Sequence, residues 1–518
     1  MSATTIPVAA SERPVTAERS LETAAILAVT ALALLLRLSG LSRSLFTDEA
    51  FSLALAQRSF GHMLALFGFE ANGTPYPILL WPLTRLLGTG EAVLRAPALI
   101  AGTASVPALW WAARRFTSPA GAVLAAALLA INPMAVWYSQ VARPYALVVL
   151  ATCLAFGALP RALDGSRRRP WAGYVAAMAL LAYCDILAAP LVLPAHALIA
   201  WRSGRPGLRR WLWSLLAVLA CCVPLLIAAG ISRSRRNALY WLPKPDKGLI
   251  QQALQEFTGG FSTVTAVRWA TVLAGGLLVA AAAWSIRRRR WDGEKGTLAV
   301  VAFWGALPGP LLLGVSLVRP LFWPRYVILA LPGLCLLVAI AAVWLLRTRA
   351  GRLAAISCVA VIAVAGAVAD SRQRTTAQEE WAAPAAWLRA DRTEGQPVIL
   401  DSVITLPALG YYDSAFRAGD GALVVEEWRD RSLPRGIVGF KDPAGFGSVA
   451  AGPPSAATFA SAAQRGGGSA WLVVAEAGRA RQGDVRSGAA AAWARSHCRV
   501  QVRESIAVWV MRATRCVP

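Results

Sequence analysis

Apolar runs close to 20 residues recur along this chain, and no other feature restricts its fold more. A helix of that length spans the hydrocarbon core of a bilayer, and one soluble core cannot bury so many of them. The runs fall at 21–38, 92–113, 118–138, 145–162, 171–184, 186–201, 211–231, 269–286, 296–315, 326–346 and 353–369. The sequence therefore predicts a polytopic α-helical membrane protein with about 11 transmembrane helices. The members of the 171–201 hairpin are short, but as a pair they leave the topological parity unchanged. Composition agrees, with 57% hydrophobic and only 15% charged residues across 518 positions. Several Trp sit near the ends of runs, where an interfacial belt places them. A net charge of +24 would suggest a nucleic-acid partner in a soluble domain. Here most cations cluster between apolar runs, so no nucleic acid is expected.

Those clusters set direction. Arg114-Arg115, Arg167 to Arg169, Arg209-Arg210, Arg287 to Arg290, and Arg347 with Arg349 share one side if the N-terminus is cytoplasmic. The outer side then receives the first loop (41–91), the turn 138–145, the long loop 232–268, the turn 319–325 and everything after 370. This parity holds only if 74–87 does not cross. Pro75, Pro77 and Pro82 break that segment, so it reads as a helix at the outer face. Residues 51–67 carry apolar side chains at helical spacing and read as an amphipathic helix on the membrane surface. No signal-peptide cleavage pattern follows the first run, which is expected to be a retained helix. Arg far outnumbers Lys, which reads as GC-rich coding and a bacterial source. The expected location is the cytoplasmic membrane of a bacterium, multi-pass, with the N-terminus inside.

The expected organisation is a cytoplasmic tail (1–20), a transmembrane module (21–369) and an extracytoplasmic soluble domain (370–518). In the last part apolar runs shrink to strand length, at 397–400, 422–425, 471–474, 500–502 and 507–511, separated by helical patterns and by a glycine-rich turn at 465–469. That pattern predicts a C-terminal α/β or α+β domain. Six of the eight Cys lie in the membrane part as buried fillers. Cys498 and Cys516 lie where oxidising conditions permit a disulfide. His62, His196 and His497 are scattered, so no metal ligand is assigned. A divalent metal is left open without ligand spacing to support it, and no other cofactor is implied.

Chemistry concentrates on the outer side. Asp48 and Glu49 follow the first run directly, and an acidic pair is costly to keep beside a bilayer unless it works there. The plainer reading is a helix start, with Thr47 and Asp48 preceding a helical pattern. Cations are unexpectedly present on the same side: Arg95, Arg143, Arg325 and the cluster Arg233, Arg235, Arg236. Each alone suits snorkelling to lipid phosphate. Together, opposite an acidic pair, their forks suit a phosphate or pyrophosphate.

Thr47-Asp48-Glu49-Ala50, Gly73-Thr74-Pro75-Tyr76-Pro77, Leu94-Arg95-Ala96-Pro97, the run from Ser139 through Gln140, Arg143 and Tyr145 to Leu147, and Trp323-Pro324-Arg325-Tyr326 appear in that order. Together they resemble the GT-C glycosyltransferases, most nearly the family-39 group of protein O-mannosyltransferases, the lipid A aminoarabinose transferase and their bacterial relatives. The resemblance spans about residues 21 to 369. It implies the GT-C fold and an inverting transfer of a sugar from a polyprenyl-phosphate donor to an acceptor hydroxyl of a glycan, lipid or protein. It implies Asp48 as the base, with Glu49 beside it. The leaving lipid phosphate needs cations rather than a strong acid. Arg143 and Arg325 are the candidates, with Arg95 and the Arg233, Arg235, Arg236 cluster behind them. Tyr145 and Tyr326 would bind sugar or phosphate, or anchor the interface. Three positions depart from the pattern: Val141 where relatives have Glu, Gly73-Thr74 where they have His, and Asp185 in a turn where His is common. Two alternatives stand beside the enzyme: a lipid-linked sugar flippase or transporter, and a non-catalytic polyprenyl-lipid-binding relative. Transporters place charges and helix breaks near mid-membrane, whereas here the charges gather at one face.

Overall fold

The computed structural model describes residues 15–66, 75–165, 168–231, 242, 244–261, 264–289, 292–347, 349–374, 376, 378–393, 395–400, 405–416, 422–426, 450–451, 455–475 and 485–517. Helix α1 (Val15–Leu38) enters the bundle and leads to the first loop, which holds α2 (Thr47–Ala56), α3 (Phe60–Leu66) and α4 (Pro75–Leu87). The bundle continues with α5 (Glu91–Ala113), α6 (Pro119–Ala130), α7 (Pro133–Tyr138), α8 (Tyr145–Asp164), α9 (Arg168–Cys184), α10 (Ala188–Arg202), α11 (Gly204–Cys221) and α12 (Val223–Ile231). After the long loop, which contributes α13 (Lys247–Gly259), come α14 (Thr265–Arg289), α15 (Asp292–Gly305) and α16 (Pro308–Ser316). A 3-10 turn (Pro324–Ala330) then runs into α17 (Leu331–Leu345), followed by α18 (Arg349–Gln373). This is a multi-pass membrane protein.

Helices occupy every apolar run, but several runs are broken. The run 118–138 divides because Asn132 accepts the Ala135 N–H at 3.1 Å and Pro133 starts a new helix there. The run 296–315 bends by 47° between Gly305 and Pro308. By length and apolarity, five described helices can cross a membrane, or six if that bent pair is one span. Most of the other apolar runs are occupied by helices shorter than 18 residues or by helices only partly described. The expectation of one surface helix over 51–67 is corrected. Residues 47–56 form α2, most of which is buried, and the chain breaks before α3. The exposed apolar residues of this loop are instead on α3 and α4, at Phe60, Leu64, Ile78, Leu79, Leu86 and Leu87.

A large apolar core runs through the bundle, with Phe156 stacked on Trp304 at 3.8 Å between ring centres, and smaller buried clusters flank it along α1, α14 and α18. Gly305 and Gly333 let α15 and α17 touch: a Cβ on either would stand 2.6 Å from the other's backbone. Helices α8 and α17 are the most enclosed of the long apolar helices. Their loop-side ends carry Tyr145, Arg325 and Tyr326.

Beyond α18 the chain folds as an α/β unit. Its helices are α19 (Ala382–Asp391), α20 (Leu406–Tyr412), α21 (Ala456–Arg465) and α22 (Val485–His497). Its strands are β1 (Val398–Leu400), β2 (Ala422–Glu426), β3 (Ala450–Ala451), β4 (Ala470–Ala475), β5 (Arg499–Ser505) and β6 (Val508–Thr514), in the order β3-β2-β1-β4-β6-β5. β1 pairs in parallel with β2 and β4, while β6 runs antiparallel to β4 and β5. Alternation sends Val398 and Leu400 to one face of the sheet and Ile399 to the other, and both faces are covered. Glycines 467 and 468 take positive φ in the turn before β4. Cys498 and Cys516 are disulfide-bonded.

This unit sits against the first loop. Ala50 of α2 belongs to its apolar core. The Tyr412 hydroxyl accepts the Leu45 N–H at 2.8 Å, and the Ser44 hydroxyl accepts the Trp381 N–H at 2.9 Å. The first loop and the α/β unit therefore share one side of the bundle.

Candidate active site

The adjacent carboxylates separate because they are consecutive on a helix, about 100° apart around its axis. Glu49 turns inward and is 1% exposed; the Asp48 side chain is 31% exposed. Glu49 meets Arg95 in a bidentate pair, with Nε 2.8 Å from Oε1 and Nη2 2.7 Å from Oε2. Glu49 also accepts the Ala142 N–H at 2.6 Å and, from the third helical position, the N–H of Phe46 at 3.2 Å. Arg95 gives its other N–H groups to the carbonyls of Leu41, Arg43 and Ser44. All five donors of that guanidinium are committed. In this conformation Arg95 has none to offer a phosphate, and Glu49 has no face toward a substrate.

Asp48 faces the other way. Its Oδ2 lies 3.3 Å from Arg325 Nη2. Arg325, at the start of the 3-10 turn, stands 5.6 Å from the centre of the Tyr145 ring and 5.8 Å from that of Tyr326. One turn along α2, Ser52 accepts from Arg143 at 3.4 Å. Arg143 also lies beside the Tyr145 side chain. Thus Asp48, Arg143, Tyr145, Arg325 and Tyr326, distant in sequence, meet at one place. Arg233, Arg235 and Arg236 lie outside the described residues.

Five residues beyond these border the group. Tyr138 packs edge-on to Tyr145 at 4.8 Å and donates to Glu256 of α13 at 3.3 Å. Gln252 donates to the same carboxylate at 2.8 Å. Asp185, in the turn between α9 and α10, is buried and accepts the Leu187 N–H at 2.9 Å. Burial pushes its carboxyl up to about 7, while that hydrogen bond and the charge of Arg325 act against the shift. Glu379 lies behind α2: its Oε2 accepts from the Thr47 N–H at 2.9 Å, the Thr47 hydroxyl at 2.5 Å and the Trp381 indole at 2.7 Å. Burial pushes the Glu379 carboxyl up, against the pull of these bonds. The sequence did offer a signal for Glu379. With Glu380 it forms a second acidic pair just after the last apolar run, as Asp48 and Glu49 do after the first. Glu256 had none, being one carboxylate on a loop helix. Among the described residues no three His, Cys, Asp or Glu side chains gather as metal ligands.

Chemically, a half-exposed carboxylate stands against a guanidinium, with a second guanidinium and several tyrosines beside it. That set can take a proton and hold an anion. The fold is the GT-C fold of membrane glycosyltransferases, and residues 75–228 match the family model for dolichyl-phosphate-mannose-protein mannosyltransferase. That match covers under a third of the chain and agrees with the resemblance carried by its motifs. Among solved structures it is similar to ArnT from Cupriavidus metallidurans in the apo state, with a TM-score of 0.56 and 15% identity over 97% of this chain and 99% of that one. The same protein bound to undecaprenyl phosphate gives 0.54 and 14% over 96% and 98%. The oligosaccharyltransferase AglB from Archaeoglobus fulgidus, in complex with an inhibitory peptide and a dolichol-phosphate, gives 0.53 and 11% over 95% and 74%. No curated protein sequence matches the chain.

Proposed function

We propose that the chain transfers a sugar from a polyprenyl-phosphate donor to an acceptor hydroxyl at the outer face of a bacterial cytoplasmic membrane. The observation that carries this reading is the pairing of Asp48 with Arg325, with Arg143 on Ser52 one turn along α2, where two enclosed helices reach the loop side. In this reading the acceptor oxygen attacks the anomeric carbon as the bond from that carbon to the phosphate oxygen breaks. Asp48 takes the acceptor's proton, and the lipid phosphate leaves to Arg143 and Arg325. A single displacement inverts the anomeric centre. Arg325 has two partners in turn: without donor it rests on Asp48, and a bound phosphate competes for the same fork. Donor binding thereby releases the base. Glu49 and Arg95 shape the loop rather than touch substrate. Residues 370–518 form an extracytoplasmic domain in this arrangement, and the N-terminus is cytoplasmic.

The decisive experiment is incubation of the purified protein with radiolabelled polyprenyl-phosphate sugars and a membrane extract, followed by identification of the labelled product. Label that stays on the lipid donor across the whole panel would sink the reading. Orientation has its own check: a reporter active only outside the cytoplasm, fused after Pro518, should be active. Activity from a cytoplasm-only reporter would reverse the parity.

If Arg143 and Arg325 hold the phosphate, Lys is a poor substitute at either position, because an ammonium keeps the charge but loses the planar fork. Losing one charge-assisted hydrogen bond costs about 1.5–3 kcal/mol. Undecaprenyl phosphate binding to Arg143→Lys and to Arg325→Lys should therefore weaken by about 10- to 100-fold. Parent-like binding by both would move the phosphate elsewhere, toward Arg233, Arg235 and Arg236.

Asp185 predicts a pH effect. Below about 7 its carboxyl is neutral; above, it places a negative charge near Arg325. A sugar phosphodiester keeps its own charge across this range. The donor KM should therefore rise by about three- to tenfold from pH 6 to pH 8, and Asp185→Asn should flatten the rise. An unchanged slope in that variant would assign the titration to another group.

A further inference from the structure

We propose that Glu379 is a positioning residue: it sits in the stem of the α/β unit and fixes the start of α2, and hence the direction in which Asp48 points. The inference rests on the reading of Asp48 as the base. Glu379 lies 332 residues from Thr47, yet one of its oxygens accepts both the backbone N–H and the hydroxyl of that residue. The first N–H groups of a helix have no partner within the helix, and a carboxylate there also suits the positive end of the helix dipole. Glu379 is 5% exposed, so water cannot replace it readily. The oxygen is itself held by the Trp381 indole, and the Trp381 N–H is anchored on Ser44. Tyr412 adds a second tie through the Leu45 N–H. The chain entering α2 is therefore held at residues 44, 45 and 47 by two parts of the α/β unit, the stem at 379–381 and Tyr412 of α20. Asp48 is the next residue along. Arg325 sets the side-chain end of Asp48, and Glu379 sets its backbone end.

On this account the α/β unit has a part in the chemistry. Whatever displaces its stem from the first loop turns Asp48 away from the acceptor while leaving Arg143 and Arg325, on other elements, in place. The signature is a loss in kcat without a loss in donor affinity. Gln at 379 offers one amide oxygen to the same donors and should act as the conservative rescue.

The test uses the full chain, purified in lipid nanodiscs, as Glu379→Ala, Glu379→Gln and Thr47→Val beside the parent and Asp48→Asn. Hydrogen exchange of the segment 44–56 needs no turnover. Exchange there should rise about tenfold in Glu379→Ala and stay near the parent in Glu379→Gln, with peptides from α5 and α8 unchanged. With labelled polyprenyl-phosphate sugar, kcat of Glu379→Ala should fall about tenfold or more with donor KM within about twofold. Thr47→Val, which removes one donor and keeps the N–H, should lose about threefold and serves if the Ala variant does not fold. Parent-like exchange and kcat in Glu379→Ala would overturn the inference. So would equal loss of turnover and undecaprenyl phosphate binding in both the Ala and Gln variants, which is a folding defect. Parent-like turnover in Asp48→Asn overturns the assignment of the base instead, and the exchange measurement then still decides whether Glu379 holds α2.

Discussion

Asp48→Asn should lower turnover by at least about two orders of magnitude, the range a general base contributes. The substitution keeps the shape of the side chain and one oxygen for Arg325, 3.3 Å away in the parent. Folding should therefore survive. Undecaprenyl phosphate binding should survive too, and even tighten slightly, because an amide competes less than a carboxylate for the Arg325 fork. This pair of outcomes separates a base from a scaffold residue, which would lose binding and stability along with rate. Near-parent turnover would end the assignment. Glu49 is a poor replacement candidate, since both its oxygens are occupied by Arg95 and by backbone N–H groups.

Arg95→Ala should cost more stability than any other change at this site. It strands Glu49 as a buried, unpaired carboxylate and takes a donor from the carbonyls of Leu41, Arg43 and Ser44. Breaking a buried pair by removing one partner costs about 3–5 kcal/mol. Arg95→Lys should recover little, since three ammonium donors cannot serve five contacts in a planar arrangement. Thermal unfolding followed by size-exclusion chromatography in detergent is a suitable measurement, with aggregation well below the parent's transition as the expected result. A midpoint within about 2 °C of the parent would mean the pair carries no such weight.

These two residues also mark how far the sequence could be read. The helical bundle was legible because apolar run length is a one-dimensional signal, and all the strands after 378 but β3 because short apolar runs and glycine punctuation are local. Asp48, Arg143, Tyr145, Arg325 and Tyr326 could be gathered from motif order alone. Glu49 and Arg95 could not be told apart from working residues. Their pairing joins positions 46 residues apart, and only the turn of α2 shows which carboxylate points inward. Glu379 and Glu256 were harder still, since each becomes informative only through a partner more than 100 residues away. The breaks inside the runs were hidden for a related reason. Hydropathy averages over Pro133 and Pro308, whereas a helix ends or bends at them.

The outermost strand of the sheet, β5, has a bearing on life in two dimensions. Copies of a membrane protein share one orientation and meet side by side, so an unpaired strand at a common height encounters its own kind far more often than it would in solution. β5 presents Arg499, Arg503 and Glu504 along this border, with Arg499 exposed and the strand as a whole largely open to water. Charged side chains on a border strand discourage another strand from pairing there. Neighbouring copies can thus crowd the same patch of membrane without fusing their sheets into a ribbon.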